Sequence, residues 1–184
     1  MLTGLLLALV QTQAVPACGV DDDARAGFLA MSYEQFDQTM GEGWRSLEEN
    51  AECQAIAGNL IADYLLYSHA PLEAYNVRVL RFHAGQMFAF AGETDRALAF
   101  FQASYGAPYG EGDRLNWNSY VDATIAFLQQ DRETLEAAHA RLLQQTPFEN
   151  GMIPNLNVAD GFLACYGEGY PKAYSAECMS DGRG

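Results

Sequence analysis

The sequence predicts an all-α protein made of stacked antiparallel helical hairpins. Apolar residues recur at helical spacing through most of the chain, and no stretch alternates apolar and polar residues for long enough to make a useful strand. Short breaks rich in Gly, Asp and Pro separate the helical patterns, and helices joined by such short links must fold back on one another.

The clearest hairpin lies in residues 78–108. Leu80, Ala84, Met87, Phe88 and Ala91 form one apolar stripe, and Gly92 supplies the left-handed residue that commonly closes a helix. Beyond the Gly-Glu-Thr-Asp break, Ala97, Phe101 and Ser104 stand at i, i+4 and i+7. Thr94 is expected to cap this second helix, and Asp95 to sit favourably at the positive end of its dipole. The order Gly85, Phe88, Ala97, Phe101, Pro108 resembles one tetratricopeptide repeat, with departures at Arg81, Ala84 and Ser104. That resemblance implies a short solenoid whose first helices line a concave groove, with Phe82, Gln86 and Phe90 pointing into it.

The remaining elements follow in order. Asp21-Asp22-Asp23 reads as a solvated helix start, since the alternating ligands, Gly and closing Glu of a calcium loop are missing. Ser32-Tyr33-Glu34-Gln35 is a capping-box pattern opening a short helix through Thr39, which Gly41-Glu42-Gly43 breaks. Residues 44–67 read as helix with a bend near Asn50 to Cys53, and Ile56, Leu60, Ile61, Tyr64 and Leu65 form its apolar face. Pro71 ends it. After a turn-rich connection at 107–112, Trp117 to Leu128 carries Trp117, Val121, Thr124, Ile125 and Leu128 at helical spacing. Asp131 is placed to cap a partner helix containing Leu135, Ala138, Leu142 and Leu143, and Pro147 closes this second, longer hairpin. Pro154 and Asn155 open a last helix through Cys165, followed by a loose tail, marked by Gly167, Gly169 and Pro171, that a disulfide could tie.

At 184 residues the chain is one domain by size, and 49% hydrophobic residues exclude disorder. The net charge of −14 comes from 24 acids against 10 bases, a balance that repels phosphate backbones and argues against nucleic acid as a partner. Residues 1–17 read as a signal peptide, with the apolar run at 2–10 followed by small residues that allow cleavage after Ala14 or Ala17. The run is too short to span a bilayer, so the mature domain, 18–184, is expected to be periplasmic or secreted without a transmembrane segment. Four cysteines, Cys18, Cys53, Cys165 and Cys178, then suggest two disulfides; Cys165 and Cys178 are close in sequence and could staple the tail, with Cys18 then fastening the N-terminal segment to Cys53, although three connectivities are open. A lipid anchor on Cys18 is the less favoured alternative, because it leaves an odd cysteine.

Catalytic signatures are missing from the sequence. Its three histidines, His69, His83 and His139, make no zinc-binding spacing, there is no nucleophile elbow, and no glycine-rich phosphate loop occurs. No catalytic residue, metal or cofactor is therefore expected. His139 falls on a polar helix face and is expected to be solvated, whereas His83, with Gln86 on the same face, is the best prospect for binding a small ligand or acting as a base. Large polar and aromatic side chains collect near the hairpin starts: Trp44 and Arg45; Phe82, His83, Gln86 and Phe90; Trp117, Asn118, Tyr120 and Asp122. Such residues commonly anchor binding, so the leading expectation is an interaction module for a protein or peptide. A small envelope enzyme or glycan binder using His83, and a disulfide-braced structural protein, are the alternatives.

Overall fold

The computed structural model describes residues 18–110 and 115–183; the leader reading at 1–17 and the end of the connection at 107–112 lie outside them. The helices are α1 (Asp22–Leu29), α2 (Gln54–Tyr67), α3 (Ala74–Phe90), α4 (Thr94–Gln102), α5 (Trp117–Leu128), α6 (Arg132–Leu142), α7 (Leu156–Ala164) and α8 (Tyr170–Ala173). Among the described residues there is no strand, and no helix is long and apolar enough to cross a membrane. Between α1 and α2 the chain makes a π-helical turn, Glu34–Gln38, and two 3-10 turns, Gly43–Ser46 and Ala51–Cys53.

Local chemistry accounts for the boundaries. Asp21 accepts from the Ala24 amide and opens α1, Asn116 accepts from the Ser119 amide and opens α5, and Asp131 accepts from the Thr134 amide and opens α6. Ser32 and Gln35 exchange the reciprocal bonds of a capping box, although the turn that follows is π-helical. Thr94 departs from expectation. It is the first residue inside α4, Glu93 occupies the cap, and neither side chain bonds an amide of the first turn.

Antiparallel packing of α2 on α3, α3 on α4 and α5 on α6 supplies most of the interior, with α4 against α5 and α6 against α7 joining the hairpins. Small residues set the close approaches. A Cβ on Gly58 would stand 2.7 Å from the Phe88 ring, and one on Gly85 2.8 Å from the Phe101 ring, so α2, α3 and α4 pack nearer than any side chain there would allow. Phe36, Trp44, Tyr64, Phe82, Phe88, Phe101, Phe127 and Phe162 fill the space between the helices.

The tail is no loose appendage. Gly169 precedes a helical turn with Pro171 in its first turn, and Tyr170 and Ala173 are buried against α3 and α7. The Cys165–Cys178 disulfide ties the end of α7 to the segment beyond α8, and Cys18–Cys53 fastens the segment before α1 to the turn before α2. The Cys18 sulfur is bonded to Cys53, in keeping with the two-disulfide reading.

Candidate functional site

Asp37 sits in the π-helical turn and is fully buried. Its Oδ1 lies 2.7 Å from the indole nitrogen of Trp44, which donates to it, and 2.7 Å from His83 Nδ1 on α3. The Gln38 amide donates to Oδ2 at 2.5 Å, and Arg45 Nε donates to the Asp37 carbonyl at 2.5 Å. Burial by itself pushes a carboxyl up. Here the bond and positive charge from His83, with the Trp44 and Gln38 donors, outweigh it and hold Asp37 below the ordinary carboxylate value. Tyr33, beside this charge and half-buried, is pushed above the ordinary phenol value by burial and then by Asp37.

This carboxylate fixes the His83 ring through Nδ1, and the imidazole is 16% exposed at its side chain. The Trp44 ring lies beside it, at 5.3 Å between centroids, with the Arg45 guanidinium 4.4 Å over the indole. Arg45 also pairs with Glu48. Trp44 and Arg45 thus serve chiefly to build the Asp37 cluster, and Trp44 is a core residue. Asp37 itself carried no readable signal in the sequence.

The groove expected from α3 is occupied by the chain itself. Phe82 is buried between Phe101, Trp117 and Tyr120, with ring centroids 4.9, 5.0 and 4.7 Å away, so it is a core aromatic and not a groove residue. The Gln86 amide donates to the Tyr174 hydroxyl at 2.9 Å, and the Tyr120 and Tyr174 hydroxyls share a 2.6 Å bond. Phe90 packs edge-on against both Tyr170 and Tyr174. Burial pushes the Tyr120, Tyr170 and Tyr174 phenols above the ordinary value. The aromatic content of the tail, Tyr166, Tyr170 and Tyr174, was the available hint that it belongs to the core.

At the start of α5 the expected residues meet a second group. Trp117 donates from its indole nitrogen to the Ser104 carbonyl at 2.7 Å, and the Asn118 amide bonds Gly106 and Ala107. Asp122 accepts from the Tyr105 hydroxyl at 2.6 Å and pairs with Arg141. Arg78 of α3, which sequence reasoning missed, lies 5.2 Å over the Tyr75 ring and 5.3 Å over the Trp117 ring. Its Nε is buried without a hydrogen-bond partner, and among the described residues it pairs with no carboxylate. Tyr75 is 53% exposed and Tyr105 44%. The i, i+3 spacing of Tyr75 and Arg78 was the signal that could have found this stack.

His139 is held, not solvated: its Nε2 lies 2.6 Å from Asp160 Oδ1, and Ser180 donates to the other carboxylate oxygen. Among the described residues no group of three His, Cys, Asp or Glu side chains could hold a metal ion. No family model, no curated protein and no solved structure matches the chain.

Proposed function

We propose that this chain is an exported, disulfide-braced interaction module of helical hairpins that takes a protein or peptide segment. Its recognition face is the Tyr75–Arg78–Trp117 stack, where α3 and α5 begin. The observation that carries this reading is the guanidinium held between two aromatic rings without a carboxylate partner among the described residues. Tyr, Trp and Arg dominate the energetics of protein recognition, and an exposed Tyr75 and Tyr105 beside the stack extend its apolar area. In so acidic a chain this guanidinium attracts a carboxylate or backbone carbonyl of the partner. Two disulfides are compatible with an extracellular setting and support export.

The test is chemical crosslinking of the mature chain in an envelope or culture extract, beside Tyr75→Ala and Arg78→Ala variants with wild-type circular dichroism. A partner captured by the wild type and lost at least tenfold in both variants supports the face, the size expected for hot-spot truncation. Capture unchanged in the variants rejects it.

A second reading rests on the Asp37–His83 pair, which presents one fixed imidazole at the surface for a small polar ligand. A ligand that raises the melting temperature of the wild type but not of His83→Gln would favour that reading over the first.

A further inference from the structure

A cleft of about 400 Å³ opens between the two inter-helix turns, where α3 and α5 end and α8 begins. Its floor is aromatic, from Phe90, Phe127 and Tyr170, with Phe90 and Tyr170 edge to face at 5.0 Å. Its mouth carries hydrogen-bond acceptors. Glu168 is the one charged side chain of the lining, and among the described residues it makes no ion pair. The carbonyls of Phe90, Ala91 and Leu128 accept no backbone hydrogen bond among the described residues.

Two helix C-termini therefore converge on one carboxylate. A helix C-terminus carries partial negative charge and is ordinarily met by Lys, Arg or His in its last turn. Neither α3 nor α5 has a basic residue in its last turn, so no side chain of its own neutralises either end. Gln130 lines the same cleft. It stands at φ 57, at the position that Gly92 fills with φ 77 in the preceding hairpin. Both turns close alike, with Glu93 N bonded to Phe88 O and Asp131 N to Ala126 O. A non-glycine residue is uncommon in that conformation. The Gln130 amide nitrogen donates to the Phe127 carbonyl, so its oxygen remains an acceptor at the cleft.

We infer that this cleft binds a protonated primary alkylamine, its ammonium among Glu168, Gln130 and the free carbonyls and its alkyl chain on the aromatic floor. An ammonium brings three donors and no acceptor, which fits a mouth of acceptors, and an aromatic face attracts a cation. The net charge of −14 draws such cations towards the protein. The amine is either a free small molecule or the side chain of a partner's lysine. The site is distinct from the Tyr75–Arg78–Trp117 stack, which lies towards the other end of α3, roughly 20 Å away at 1.5 Å per residue.

The test is amide NMR titration with n-pentylammonium chloride, with 1-pentanol as the neutral control of equal chain length. Saturable shifts at Gly92, Gln130 and Gly169 with the amine and not the alcohol are expected. Glu168→Gln should weaken binding roughly fivefold, the range of a solvent-exposed ion pair, and Phe90→Leu by a similar factor. Gln130→Gly should leave the fold intact, because glycine suits that backbone, yet weaken the amine. Binding of Nα-acetyl-lysine methylamide to the same amides would assign the cleft to a partner's lysine; pentylammonium binding alone would assign it to a free amine. Equal binding of pentanol, shifts spread over the acidic surface, no saturable shift, or affinity unchanged in Glu168→Gln each overturn the inference.

Discussion

Asp37 Oδ1 and His83 Nδ1 lie 2.7 Å apart although 46 positions separate the two residues in sequence. That bond, with the Trp44 indole donating to the same oxygen, secures the irregular segment between α1 and α2 to the middle of α3. Replacing Asp37 by Ala leaves the Trp44 and His83 donors without an acceptor in the interior. Urea unfolding should show a loss of about 3–5 kcal/mol, the range for breaking a buried pair, and a loss below about 1 kcal/mol would show that the cluster is incidental.

The same carboxylate predicts a pH dependence. The folded chain holds Asp37 below its ordinary value of 3.8, so folding releases a proton that the unfolded chain retains. Its contribution to stability is complete above pH 3.8 and disappears as the pH falls through the lower folded value. Tyr33 and Tyr64, which face it, are raised and titrate only in alkali. Thermal melts across acid pH should therefore fall less steeply for Asp37→Asn than for the wild type. Parallel slopes would contradict the assignment.

Gly85→Ala tests the approach of α3 to α4. The added methyl meets the Phe101 ring, which Phe82 packs against in turn and which therefore cannot swing aside freely. Overpacking of this kind costs about 1–3 kcal/mol. Differential scanning calorimetry should show a lower melting temperature, and an unchanged one would mean that the helices can separate without loss.

Tyr174→Phe removes one hydroxyl that serves two partners, the Tyr120 hydroxyl and the Gln86 amide. Stranding buried polar groups costs about 1–3 kcal/mol. Chemical denaturation should report that loss, and a neutral result would show that water replaces the lost oxygen.

Removing the Cys165–Cys178 bond with a paired serine substitution frees a segment whose ends are 13 residues apart. The chain-entropy model gives about 3 kcal/mol for a loop of that size. Hydrogen exchange should show protection lost first at Tyr170 to Tyr174, with α3 and α4 retaining theirs. Uniform loss across the molecule would instead make the tail inseparable from the rest of the core.

The helices that pack on their neighbours were legible because one periodicity serves both the helix and its burial. Trp117–Leu128 has the bounds that its apolar spacing suggested, whereas the helix expected over 44–67 begins only at Gln54: the stretch before it, tied to Asp37 through Trp44 and to Cys18 through Cys53, makes two 3-10 turns instead. Thr94 misled because Glu93 and Thr94 are both plausible at that turn, and backbone geometry alone decides which is the first helical residue. α8 was unreadable because Gly167, Gly169 and Pro171 signal a break, while the burial of Tyr170 comes from α3 and α7, far off in sequence. The site residues divide in the same way. Phe82 and Trp44 were singled out as large aromatics, but large aromatics are also what a core needs. Asp37 has no local pattern, since its partners come from Trp44 and His83. Arg78 was visible as a charge on a helix, and its aromatic neighbour Trp117 was visible only once α3 and α5 lay side by side.

The docking of Tyr170 and Tyr174 onto α3 and α5 also sets an order of assembly. The hairpins α3–α4 and α5–α6 close through contacts near in sequence, whereas Gln86 must wait for a tyrosine 88 positions away. Local contacts form quickly and distant ones slowly, so the two hairpins precede the closing turn. Until that turn arrives, Phe90, Tyr120 and Phe127 face water, and an early intermediate is expected to bind hydrophobic dyes and holdase chaperones.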